Sequence, residues 1–174
     1  MRGFSLIEVL VSFGILIIVF AGVFAVLNVG QMNFGTGMAS LDLQQQARQA
    51  MDGMTREIRQ SKPGNITINP DGGAINFTVP INITTNPITY SSVINYYLNA
   101  TSNQLVRVHP AGTPPGKILA NDITNLSFCC IGGADCFDCQ NSTTVQIQME
   151  ATKSVRQRNL TSFNLTEQVR LRNE

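Results

Sequence analysis

Tryptophan is absent from this 174-residue chain, histidine occurs once, and Asp, Glu, Lys and Arg together make up only 13% of it. Each shortage excludes something. Soluble globular domains carry about 25% charged residues, so an ordinary solvated surface does not extend over the whole chain. A metalloenzyme or a His-based hydrolase would have to be built almost without imidazole. The net charge is +1, too small for a bulk nucleic-acid binder, whose affinity rests on many Lys and Arg contacts to phosphate. A 43% hydrophobic content excludes a disordered chain. The length suits one ordinary domain with some chain left over.

Charge is missing altogether from Val9 through Leu41. Within that stretch Val9 to Leu27 is apolar except for Ser12, Gly14 and Gly22. As a helix this run is roughly 28 Å long, close to the ~30 Å hydrocarbon core of a bilayer. A buried core helix is the alternative, but few reach this apolar length in so small a domain. A secretory signal peptide would be followed by a small-x-small cleavage site. Here the chain continues as NVGQMNFGTGMAS and then as a helical pattern, so the segment reads as retained. Arg2 precedes the run and the next basic residue, Arg48, lies well beyond it. This order favours a cytoplasmic N-terminus.

Glu8 stands at the start of the apolar run. A carboxylate there is expensive unless it has a partner, reaches the headgroups or sits favourably at a helix N-terminus. The order Arg2-Gly3-Phe4-Ser5-Leu6-Ile7-Glu8, leading into the apolar helix, resembles the class III signal of type IV prepilins. The resemblance covers about thirty residues, with leader charge, Gly, Phe, Glu and apolar span each in the family's places. It implies that a membrane prepilin peptidase cleaves between Gly3 and Phe4 and N-methylates Phe4. Gly3 has no side chain, so its backbone can enter a tight protease cleft. The resemblance further implies that Glu8 neutralises the Phe4 ammonium of a neighbouring subunit and sets subunit register.

Gly30, Gly35 and Gly37 follow. Each weakens a helix by about 1 kcal/mol relative to Ala, and the stretch reads as a flexible joint or a plain loop. From Ser40 a helical period returns, with Leu43, Ala47, Ala50, Met51, Met54 and Ile58 on one face. Asp52 and Arg56 form an i,i+4 pair in the favourable order. Pro63-Gly64 stops the helix. A helix continuous from Phe4 to Ser61 would span roughly 87 Å, and no single globular core can bury that length.

The remainder is rich in Asn, Thr, Ile and Val. Strands are expected near 65–68, 74–79, 93–98, 105–109, 123–128, 144–151 and 163–171. Thr101-Ser102-Asn103 turns a hairpin, and Asn69 to Gly73 and Pro110 to Gly116 are turn segments. The expected fold is α+β: a long N-terminal helix, its first half transmembrane, with an antiparallel sheet head packed on its second half. The divisions are a leader (1–3), a transmembrane and filament-core helix (4–29), a joint with the amphipathic second half of the helix (30–61) and a β-rich head (62–174). The head resembles the W-type minor pilins and the J-type pseudopilins of type II secretion, through RQAMDGMTREIRQS, NYYLNATSNQLVR, NDITNLSF and VRLRN.

Cys129, Cys130, Cys136 and Cys139 form C-C-x5-C-x2-C. Outside the cytoplasm such cysteines persist as disulfides, and four of them allow three pairings. A Cys129–Cys130 bridge would be strained, so each pairs with Cys136 or Cys139 and the loop is stapled twice. A four-thiolate metal site is the sharper alternative. Adjacent strand residues point to opposite faces, which suits one tetrahedral ion poorly. No metal and no cofactor is expected. His109 reads as a surface residue. Asp122, Asp135 and Asp138 lack EF-hand spacing. Lys153, Arg156, Arg158, Arg170 and Arg172 read as a solvated strand edge.

No nucleophile, base and acid can be grouped, so an enzyme is not expected. The leading reading is a structural subunit of a type IV pilus or related secretion filament, a minor one at the tip or in a priming complex. Its expected partners are other pilins or pseudopilins, the prepilin peptidase, an inner-membrane assembly platform and, before assembly, the lipid bilayer. The alternative is a membrane-anchored extracytoplasmic module that binds DNA or a surface ligand and does not polymerise.

Overall fold

A computed structural model of the chain describes residues 5–82, 87–113, 115–133, 135–155, 158–159 and 162–172. One helix, α1, runs from Leu6 to Ile58. It contains Gly30, Gly35 and Gly37, so the expected joint is helical here. Among the described residues twelve strands follow: β1 Ile66–Ile68, β2 Ala74–Phe77, β3 Pro80–Asn82, β4 Thr89–Tyr90, β5 Ile94–Asn99, β6 Gln104–Val108, β7 Lys117–Ala120, β8 Ile123–Ile131, β9 Thr144–Ala151, β10 Ser154–Val155, β11 Arg158–Asn159 and β12 Phe163–Arg170. The result is the expected α+β fold. The chain divides into two compact units, Met1–Ala39 and Ser40–Glu174.

The first unit is helical from Leu6 onward. Three of its polar side chains turn back on the helix. The Ser12 hydroxyl donates to the Glu8 carbonyl at 2.7 Å, the Asn28 amide to the Phe24 carbonyl at 2.9 Å, and the Thr36 hydroxyl to the Asn33 carbonyl at 2.9 Å. These bonds let a polar residue sit in an apolar helix without an outside partner.

The second unit holds the core. Leu43, Ala47, Ala50, Met51, Met54 and Ile58 are all buried, the face that the helical period marks out. They pack in one cluster with Ile75, Phe77 and Tyr96 from the first sheet and Phe128, Ile147 and Val169 from the second. The first sheet has five antiparallel strands in the order β1-β2-β5-β6-β7, and the second has three, β12-β9-β8. Short β3–β4 and β10–β11 pairs complete the set.

Alternation decides which residues meet α1. On β5, Ile94 and Tyr96 are buried, while Asn95 and Tyr97 lie on the other face. At the β5–β6 turn, Asn103 takes a φ of 51°, in the left-handed region that Asn tolerates.

The helix ends earlier than Pro63. It stops at Ile58, and the Ser61 amide returns to the Ile58 carbonyl at 2.9 Å. A tightened last turn of this kind satisfies terminal carbonyls.

Candidate functional site

Leu6 to Met38 is the first candidate surface. Its large apolar side chains are 48–79% exposed. No part of its most apolar stretch is buried, and the helix is long and apolar enough to cross a membrane. Glu8 lies in the first turn, where the partial positive charge of the helix N-terminus favours a carboxylate. Among the described residues its carboxylate makes no hydrogen bond or ion pair. Gly3 and Phe4, the expected cleavage and methylation positions, lie outside the described residues, as does the 1–3 leader.

The five described glycines of this unit have a common property. A Cβ added at Gly14, Gly22, Gly30, Gly35 or Gly37 would meet nothing within 4 Å. Packing within the chain therefore gives no reason for glycine at these positions.

The second candidate is the cysteine loop. β8 is longer than the sequence pattern indicates and carries both Cys129 and Cys130 before ending at Ile131. Adjacent residues on a strand face opposite ways. Cys129 accordingly bonds Cys136, and Cys130 bonds Cys139. The Cys130–Cys139 bridge is core, with its residues 3% and 2% exposed. In the other bridge Cys129 is half-buried and Cys136 exposed. All four sulfurs are consumed, which leaves no thiolate for the four-thiolate alternative.

The loop is ordered by its own side chains. Asp135 Oδ1 accepts from the Phe137 and Asp138 amides at 3.1 and 3.0 Å, and Asp138 Oδ1 accepts from the Gln140 amide at 3.1 Å. Both aspartates thus shape turns. The Ser142 hydroxyl closes the base, 2.6 Å from the Ile131 carbonyl and 2.8 Å from that of Thr144. Gly133 leaves room for the Asp138 carbonyl, which a Cβ would strike. Phe137 remains 43% exposed on this framework.

Three polar contacts between α1 and the sheets escape a reading of the sequence. Glu57 accepts from Arg107 Nε at 2.9 Å and from the Tyr96 hydroxyl at 2.8 Å. Burial, and then the Glu57 charge, push the Tyr96 phenol above its ordinary range. Lys153 is not simply solvated: its Nζ lies 3.3 Å from Asp42 and 3.6 Å from Asp122. Arg48 stands 5.9 Å over the Phe163 ring. By contrast, no ion pair joins Asp52 to Arg56 among the described residues. The one available signal is positional. Glu57 lies beside Ile58 and three residues past Met54, at the margin of the buried face.

His109 is exposed. Among the described residues no group of three or more His, Cys, Asp and Glu is placed to hold a metal ion. The chain matches no protein-family model and no curated protein.

Proposed function

We propose that this chain is a structural subunit of a type IV pilus or a related type II secretion filament, and a minor one, acting at the tip or in priming. The carrying observation is the uncovered helix. Among the described residues its large apolar side chains from Leu6 to Met38 are 48–79% exposed, while the unit from Ser40 holds its own core. A large apolar surface of this kind needs lipid or neighbouring protein. Lipid alone explains the length and composition. At the first turn of the helix it also tolerates the Glu8 carboxylate; a neighbouring subunit would in addition give that carboxylate a charged partner.

In this reading the helix waits in the inner membrane, N-terminus cytoplasmic and head outside. The prepilin peptidase removes residues 1–3 and methylates Phe4. The assembly platform then transfers the helix from lipid to a filament, where the Phe4 ammonium of one subunit meets Glu8 of the next. Each charge alone would be strongly unfavourable in that apolar core, so the pair fixes register more than it adds stability. The open space around the five glycines supports close approach by neighbouring helices or local unwinding on assembly.

Glu8→Ala tests the proposal. A filament subunit loses incorporation into sheared filaments while the head of the same full-length variant stays folded. A membrane-anchored module that does not polymerise keeps its function in the variant, and that result refutes the filament reading.

A further inference from the structure

The five-stranded sheet has a second face, opposite the one that packs on α1. On it Asn76 and Asn95 stand across from one another in the β2–β5 register. Asn95 Nδ2 donates to Asn76 Oδ1 at 2.7 Å. This bond leaves free the Asn76 amino group, the second N–H of the Asn95 amino group and the Asn95 carbonyl oxygen, so the pair offers both donors and an acceptor. Tyr97, the next residue of β5 on this face, supplies an aromatic ring.

Ala111, Gly112, Thr113 and Gly116, after β6, make the opposite wall. The Ala111 amide donates to the Val93 carbonyl at 2.7 Å. Gly116 lies so close over Val106 and Val108 that a Cβ would run into both side chains. Thr113 spends its hydroxyl proton on the Pro110 carbonyl at 2.5 Å, so its oxygen remains an acceptor. Between the walls is a groove of about 400 Å³, within the size range of small-molecule sites.

The lining chemistry selects a ligand class. None of the described lining residues is charged, so an anion or cation entering the groove would lose hydration without a countercharge. A purely apolar ligand would leave the amide pair unsatisfied. We propose that this groove binds a neutral saccharide. A pyranose offers hydroxyls that donate and accept at once, matching the Asn76–Asn95 pair, and an apolar C–H face for Tyr97 and Val108. The sheet face and the residues after β6 form this groove, and binding in it is independent of whether the chain polymerises.

The test uses the full chain in detergent micelles on an array of neutral hexose and N-acetylhexosamine oligosaccharides, with sialylated and sulfated glycans and extended peptides alongside. At least one neutral glycan should bind. Asn76→Asp keeps the bond from Asn95 and replaces the Asn76 donor with an acceptor. It should weaken binding at least tenfold without changing the far-UV circular dichroism or the melting temperature. Tyr97→Ala should do the same by removing the ring. The proposal is overturned if no neutral glycan binds, if only charged glycans or peptides bind, or if folded Asn76→Asp and Tyr97→Ala bind as tightly as the parent.

Discussion

The two bridges of the cysteine loop span similar separations, 7 and 9 residues, yet their removal should differ in effect. On chain entropy alone, closing loops of this size is worth about 2.5 kcal/mol each. With one bridge intact the ends of the other are already near, so the second adds about 2 kcal/mol. Cys129→Ala with Cys136→Ala should cost about that much, because those sulfurs are not in the core. Cys130→Ala with Cys139→Ala removes two sulfurs from the core as well. Each buried atom lost adds about 1 kcal/mol of transfer and cavity terms, for a total of about 4 kcal/mol. Urea unfolding of the Ser40–Glu174 fragment measures both, since the core cluster lies within it. Equal losses, or a larger loss for the exposed pair, would refute the assignment of one bridge to the core and one to the surface.

Glu57→Ala strips Arg107 and the Tyr96 hydroxyl of their shared acceptor and should destabilise the same fragment by about 2 kcal/mol, read by urea titration; a neutral outcome would mean that water replaces the carboxylate without loss. Because the Tyr96 phenol is held above its ordinary range, its contribution is complete below about pH 10. It falls as pH rises further, because the unfolded chain ionises first. Melting temperature should therefore drop in the parent above pH 10 by more than in Tyr96→Phe, and parallel curves would contradict the coupling. Replacing Gly30, Gly35 and Gly37 together by Ala should stiffen the helix by about 1 kcal/mol per site. Amide exchange should then slow across residues 28–40 in micelles, and filament incorporation should fall if assembly needs the joint to unwind. Slowed exchange with unchanged incorporation would remove that role.

What the sequence discloses here is what is local. The buried face of α1 is readable because a 3.6-residue period needs only its own residues to be seen, and Leu43 through Ile58 follow it. The longer strands are readable for the same reason. β7 is not: Lys117–Ala120 is short, begins with a charge and follows a turn-rich segment, and it is a strand because β6 pairs with it. β8 runs past Phe128 through the cysteines because β9 lies opposite as far as Thr144. Sheet order is equally non-local. At the candidate sites, the apolar run and Glu8 are visible by composition and position. Spacing restricts the cysteine pairing without choosing it, because the choice depends on which face of β8 meets the core. Glu57 and Arg107 are 50 residues apart, and nothing in either neighbourhood announces the other.

Processing and assembly of the uncovered helix distinguish a filament subunit from an anchored module. Quantitative mass spectrometry of sheared, purified filaments tests for both most directly. The expected result is a chain that begins at N-methylated Phe4 and is present at trace stoichiometry beside a dominant subunit. High abundance would contradict the minor role, and a chain that retains Met1 would contradict the prepilin reading itself.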